Sequence, residues 1–437
     1  MSALVHDLVV VGAGITGLSV AWRARRAGRS VLLLEASPRV GGVIRTERVG
    51  GYRVERAAAT FPSSATALLE LASSLPTPPT VRTPPPEANG QWLWTNRGLL
   101  ALPRTPPALL RSPFLPFRGK VRLFAELLRG PRRVRTPESA YGFVRRRFGR
   151  DVAERLLRPM TLGIYGTRPE DLGLADAFPM LADMERASGS LLRGFAKRKG
   201  GGGKRTILVF EDGMEALPRA VAAALGDAVR VSTPVVRVSK EGELLRVATS
   251  SGDPHLARRV VLATTAGEQA RLVEPFSTAA AETLSTVAYV PMVVVAVGLP
   301  PGGAPPLPKG FGFLRGAGAK GRVLGASFPS CWNPAVAPAG HELVTVFAGG
   351  GADPAAADLS DDEVARVVER DLATALGGPV RPDLVSICRW PRAIPVLSPG
   401  HRARMASAQA LLSRHGLVLS GSHLTGVGVH ACAAAAV

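Results

Sequence analysis

The chain has 437 residues, 46% of them apolar, a globular composition that excludes a disordered chain and leaves room for two or three domains, each with its own core. Fifty-four basic residues, nearly all arginine, face thirty-four acidic ones, giving a formal charge of +20. Compositional bias, an anionic membrane and an anionic substrate each account for that excess, whereas the lack of any recognition motif or aromatic platform beside the base excludes nucleic acid as a partner.

In chain order, residues 7–11 (DLVVV) read as a short buried strand, Ile15 to Ala27 as a helix, and residues 30–37 (SVLLLEAS) as the next strand. This strand–helix–strand unit has the length found in doubly wound folds. A strand beginning by His6 leaves no space for a signal or transit peptide, and no apolar run approaches the roughly 20 residues of a membrane span. Proline is dense across 76–117 and breaks regular structure, except for a strand at 91–95 (QWLWT) and the turn after it. From Gly119 to about Met184 the spacing becomes helical and basic. A flexible GGGKR connector (201–205), a helix at 218–226 and strands at 228–242 and 257–267 follow. The stretch 285–350 is strand-rich, 360–377 is an amphipathic helix with Ser360 and Asp361 available as its cap, and 416–422 is the last strand. Cys331, Cys388 and Cys432 lie far apart and match no metal-ligand or CxxC spacing, which points to a reduced intracellular setting and no metal.

Gly12, Gly14 and Gly17 form GxGxxG directly between the first strand and the first helix. The first glycine permits the turn, the second lets a pyrophosphate approach the backbone, and the third lets the helix pack on its strand with its N-terminus toward the anion. Glu35 closes the second strand 18 residues after Gly17, where its carboxylate can accept from ribose hydroxyls. NAD and FAD both satisfy this unit. The loop after Glu35 then places Arg39 and the pair Gly41-Gly42 just beyond the ribose carboxylate, resembling the second signature of flavin amine oxidases and their relatives. That favours FAD.

Five further stretches, in order along the chain, resemble segments of the oxygen-dependent, FAD-containing protoporphyrinogen oxidases and their coproporphyrinogen-oxidising relatives. Residues 161–186 (TLGIYGTRPEDLGLADAFPMLADMER) are similar to the GxYAGxxxxLS...FP segment, and 210–221 to the GGMxxLP turn, with Asp212 in place of a glycine. AYVPMVVVAVGL followed by GFGFL (310–314) resembles the core of the substrate domain. RWPRAIPVLSPGH (389–401) resembles RWxxxIPQYxxGH, and LVLSGSHLTGVGVHAC (417–432) resembles the closing turn GNxxxGVGxxDC.

The resemblance implies an α/β fold: a Rossmann-type FAD-binding domain of the flavin amine oxidase kind, a strand-rich substrate domain, and a helical, membrane-associated domain. It divides the chain into FAD-binding parts at 1–75, 204–268 and 389–437, substrate parts at 76–97 and 269–388, and the helical domain at 98–203. It implies a six-electron oxidation of a porphyrinogen in haem biosynthesis, with oxygen as acceptor and hydrogen peroxide as by-product. For FAD it indicates Gly12, Ala13, Gly14, Ile15, Thr16 and Gly17 at the phosphates, with Glu35 and Ala36 at the ribose. Arg39, Gly41, Gly42 and Val43, the run Ala57, Ala58, Ala59 and Thr60, Val235 at the adenine, Trp390, and Val427, Gly428 and Val429 under the ring complete that set. For the substrate it indicates Gln91, Gly163, Phe311, Leu314 and Phe347. No general base is assigned; His401 and His423 read as structural or solvated. A cytoplasmic enzyme lying peripherally on the inner face of the membrane, and a homodimer, are further expectations.

The chain departs from the family pattern in four places. Alanines 57–59 replace a glycine-proline stretch, and Gln91 stands where an arginine would pair with a substrate propionate, with Arg97 nearby in the turn but not at that place. Val396 and Leu397 replace glutamine and tyrosine, and Val437 falls about two turns into the helix after the closing turn. Either the substrate preference has drifted, or the chain is a weakly active flavoprotein that binds porphyrin, or its reading frame is truncated.

Overall fold

The computed structural model describes residues 5–103, 111–130, 136–197, 206–252 and 254–435. The GGGKR connector and Val437 lie outside the described residues. Two seven-stranded sheets organise the rest. In the first, the apolar run Val5–Val11 is central, flanked in parallel by Val31–Leu34 and His255–Leu262, with Val9 opposite both Leu32 and Val260. Short branched residues buried on both faces suit such a strand. One edge of His255–Leu262 serves two partners end to end. Its first half pairs antiparallel with Leu244–Thr249 and its second half parallel with Leu417–Leu419.

The helix Ile15–Arg26 covers one face of this sheet together with Ala216–Leu225 and Thr66–Ser73, burying Leu18, Leu68, Leu217 and Val221 in one core. On the other face the helices Ala266–Val273, Thr278–Ser285 and His401–Ser413 bury Leu272, Leu284 and Leu412. The helix at 401–413 had no counterpart in the sequence reading. Its buried positions are His401, Met405, Ala408 and Leu412, a helical spacing disguised by two residues that do not read as apolar anchors.

The second sheet runs in the order Leu384–Pro395, Tyr289–Leu299, Glu342–Gly349, Val323–Ser327, Gly312–Arg315, Gln91–Thr95, Gly98–Ala101. It is antiparallel except where Gly312–Arg315 lies parallel to Gln91–Thr95. The helix Asp361–Leu376 packs on it through Val364, Val368 and Leu372. Its N-terminus is a capping box: the Ser360 hydroxyl accepts from the Glu363 N–H at 3.3 Å, and the Glu363 carboxylate accepts from the Ser360 N–H at 2.8 Å.

Three expected domain limits differ from the structure. The limit at 388/389 cuts the continuous strand Leu384–Pro395, which belongs wholly to the second sheet. The limit at 268/269 falls inside the helix Ala266–Val273, which packs, with Thr278–Ser285, on the first sheet. The limit at 97/98 splits the hairpin Gln91–Ala101 at its turn. Local sequence marks the strand or helix itself; which sheet it joins is decided by pairing between residues far apart.

The helical region gathers around Phe143, Leu157, Leu172 and Leu191. Beneath it Arg147, 1% exposed, pairs with Glu126 at 3.1 Å and with Glu185, and Glu126 also accepts from the Ser190 hydroxyl and the Leu191 N–H. Such a buried ion cluster is tolerated because every charge has a partner. Among the described residues, no helix is long and apolar enough to cross a membrane.

Candidate functional site

Each glycine of the first turn meets a different constraint. Gly12 has φ of 103°, and a Cβ there would lie 3.0 Å from the Ala263 carbonyl oxygen. At Gly17 a Cβ would come within 1.9 Å of the Gly12 carbonyl oxygen, so only glycine lets the helix seat on its strand. At Gly14 no atom of a described residue beyond its chain neighbours stands within 4 Å of a Cβ, and its φ of −65° is open to any residue. The fold itself therefore does not require glycine at this position. It opens onto free space at a helix N-terminus, the cradle a pyrophosphate needs.

Glu35 reaches back to this loop. One carboxylate oxygen accepts from the Ala13 N–H at 2.7 Å and the other from the Ser37 N–H at 2.8 Å, leaving further lone pairs for ribose hydroxyls. The Thr233 N–H donates to the Glu35 carbonyl at 2.8 Å, so the chain running into Val235 follows the ribose end of the second strand. Ala36 is exposed beside it.

The second glycine pair docks on the first turn. The Gly41 N–H donates to the Ala13 carbonyl at 2.8 Å, and Gly14 and Gly41 form a parallel bridge. Arg39 organises this loop from within by donating to the carbonyls of Val40, Gly42 and Ile44. Its guanidinium also faces Glu215 at 3.7 Å. Val43 remains exposed at the loop tip.

The alanine run is anchored at its start. Arg56 is buried, bound to Glu47 and to Ser386, and its carbonyl accepts from the Trp390 indole N–H at 2.7 Å. Ala57, Ala58, Ala59 and Thr60 are half-buried. Among the described residues Ser232 is the only non-glycine with positive φ, so the alanines occupy ordinary backbone space and replace the glycine-proline stretch without strain. Val427, Gly428 and Val429 lead into the helix Val429–Ala433, which packs on the helix Ile15–Arg26 through Cys432 and Ala433. Of the segments expected to hold FAD, the second glycine pair meets the first turn directly and the helix Val429–Ala433 meets the helix that follows it.

His401 and His423 are buried rather than solvated. Gln269 donates its amide to the carbonyls of Leu262, Thr264 and Ser420, so its oxygen accepts from His423 Nε2 at 3.1 Å. His401 Nε2 in turn donates to the His423 carbonyl at 2.6 Å. Burial holds the His423 imidazole neutral, its pKa pushed down to about 3. These histidines tie the helix Ala266–Val273 to the closing turn. Glu55 is the opposite case: burial outweighs its hydrogen bonds from the Met214 N–H and the Thr46 hydroxyl and pushes its carboxyl up to about 7.

The five expected substrate positions, spread over more than 250 residues, come together on one cavity of about 300 Å³. Gln91 and Leu314 come from adjacent strands, Phe347 from another strand of the same sheet, Phe311 from the loop before Gly312, and Gly163 from the helix Arg158–Tyr165 above. A Cβ on Gly163 would come within 2.2 Å of Leu314 Cδ2, so a larger residue there would push that side chain aside. Sequence reasoning missed Met160, Ile164 and Leu324, which also line the cavity. The first two were reachable: positions 160, 163 and 164 share one helical face. Among the described residues the lining is almost wholly apolar, with no titratable side chain. Arg97 lies elsewhere, in the wall of a neighbouring cavity.

The family model for flavin containing amine oxidoreductases matches residues 15–437. A chloroplastic protoporphyrinogen oxidase of Spinacia oleracea is 31% identical over 98% of this chain and 82% of its own length. A coproporphyrinogen III oxidase of Bacillus subtilis is 26% identical over 97% of this chain and 95% of its own. A solved structure from Exiguobacterium sp. 255-15, provisionally assigned as a protoporphyrinogen oxidase, superposes with a TM-score of 0.85 at 23% identity, covering 99% of this chain and 97% of that one.

Proposed function

Because the chain belongs to the family of flavin containing amine oxidoreductases, we propose that this FAD enzyme oxidises protoporphyrinogen IX to protoporphyrin IX in haem biosynthesis. Bound FAD supplies the two-electron acceptor chemistry, used three times for each porphyrin with oxygen taking up the electrons and hydrogen peroxide released. The observation that carries the substrate reading is the convergence of Gln91, Gly163, Phe311, Leu314 and Phe347 on one apolar cavity. A flat, hydrophobic tetrapyrrole suits such walls.

The chain's own residues have three tasks in this reading. Gly12 to Gly17 and Glu35 hold the dinucleotide, with the open side of Gly14 taking the pyrophosphate. Trp390 and Arg56 fix the loop 57–60 from behind. Phe311, Leu314, Leu324 and Phe347 exclude water from the ring and orient it. No side chain of the cavity is asked to move a proton.

A cytoplasmic location at the inner face of the membrane belongs to the same proposal. The helix Phe117–Ala125 and the turn after it expose Phe117 at 82%, Val121 at 51% and Leu128 at 90%, interspersed with Arg118 and Arg122. An apolar face bordered by guanidinium groups suits the boundary of an anionic bilayer. Coproporphyrinogen is the second reading, favoured by the polar, arginine-lined cavity that adjoins the apolar one. Growth of porphyrin fluorescence in air, with each porphyrinogen and the FAD-loaded chain, tests both. Rates well above spontaneous oxidation are expected, and equal rates with and without protein would overturn the proposal.

A further inference from the structure

Along the face that carries the apolar cavity lies a second one, of about 320 Å³. Gln91 lines the first and Thr95 the second, four positions apart on one face of the same strand, or about 13 Å. Leu314 in the first and Gly316 in the second lie two positions apart where the next strand ends, and Met160 and Arg155 lie five positions apart on the helical segment above. Leu93, midway between Gln91 and Thr95 on the same strand face, is buried with Leu157 and Phe114.

The cavities differ in chemistry. The second contains Arg97 and Arg155 with Thr95 and Asn96, and no acidic residue among the described ones. Both side chains are exposed and neither forms an ion pair with a described residue; among the described residues the one side-chain hydrogen bond of Arg155 is to the Phe114 carbonyl, at 3.4 Å. Two guanidinium groups without a counter-ion among the described residues, beside an apolar chamber, fit a ligand with an apolar body and anionic arms. Gln91, at the apolar end, can offer a hydrogen bond but no charge.

We propose that Arg97 and Arg155 form the carboxylate subsite of the porphyrinogen, taking its propionates while the ring occupies the apolar cavity. The inference rests on the porphyrinogen reading above and relocates the charged recognition that Gln91 cannot supply. A guanidinium presents a fork of donors matched to a carboxylate, so loss of both arginines weakens the diacid selectively.

The test is binding of protoporphyrin IX and of its dimethyl ester to the FAD-loaded chain, followed by fluorescence. In Arg97→Ala/Arg155→Ala the affinity for the diacid is expected to fall about tenfold or more, with that for the ester unchanged. Arg97→Lys/Arg155→Lys should recover part of the loss, since the charge is kept and the fork is not. An unchanged diacid affinity, or an equal loss on the ester, would overturn the subsite. Turnover by the unaltered chain is scored separately. Arginine-dependent binding without turnover would support the subsite while contradicting the oxidase reading.

Discussion

The indole N–H of Trp390 donates to the carbonyl of Arg56 at 2.7 Å, joining the edge strand of the second sheet to the start of the loop 57–60. Arg56 is itself locked by Glu47 and by the Ser386 hydroxyl and carbonyl on that same edge strand. The loop is therefore positioned by bonds at its root, while its alanines add no polar contact of their own. Trp390→Phe removes one neutral hydrogen bond and should cost about 1 kcal/mol of stability. It should also weaken FAD binding severalfold, read by flavin fluorescence titration. Unchanged FAD affinity would show that the loop is held by other means.

Gly14 and Gly17 separate a cofactor requirement from a folding one. Gly14→Ala places a methyl in open space on unstrained backbone, so the apoprotein should melt within about 0.5 kcal/mol of the parent. Its FAD affinity should nevertheless drop by tenfold or more, because the methyl takes the room of the pyrophosphate. Gly17→Ala forces a Cβ against the Gly12 carbonyl and should destabilise the apoprotein outright, by about 2 kcal/mol or more. Melting curves with and without FAD distinguish the two outcomes.

This contrast shows what the sequence could and could not reveal. The GxGxxG turn and Glu35 were legible because one short segment contains the strand, the turn and the helix that give them meaning. That Glu35 also accepts from the Ala13 N–H was not legible, since spacing does not give a side chain's direction. The cavity residues illustrate a larger gap. Nothing local to Phe311 or Phe347 marks them; strand order brings them together, and only the resemblance named them in advance. Arg155 escaped notice because an exposed basic residue on a helix carries no local mark of the cavity it borders.

Gly163 controls the width of the apolar cavity. In Gly163→Ala the new methyl meets Leu314 Cδ2, the end of a flexible side chain that can turn aside only by narrowing the cavity. The expected result is a KM for porphyrinogen raised about threefold to tenfold, with FAD content and melting temperature nearly unchanged. An unchanged KM would place the tetrapyrrole elsewhere.

Two buried groups give stability opposite dependences on pH. The folded chain keeps the Glu55 proton up to about 7 whereas the unfolded chain releases it near 4.5, so its contribution is full below pH 4.5 and is lost as pH rises toward 7. His423 stays neutral down to about 3 when folded and titrates near 6.5 when unfolded, so its contribution is present above pH 6.5 and lost as pH falls toward 3. Chemical denaturation across pH 4–8 should show Glu55→Gln gaining on the parent by about 2–3 kcal/mol between the two ends of the Glu55 window. A constant difference across that range would contradict the assignment.

If FAD held by this chain takes electrons from a porphyrinogen bound in the apolar cavity, an anaerobic single turnover will show it. Protoporphyrinogen IX is mixed with the FAD-loaded chain in the absence of oxygen while flavin absorbance is followed. The flavin is expected to bleach in proportion to the enzyme, and admitting air is expected to restore its colour as porphyrin fluorescence grows. A flavin that keeps its colour with protoporphyrinogen and with coproporphyrinogen alike, in a chain that binds the porphyrin, would contradict it.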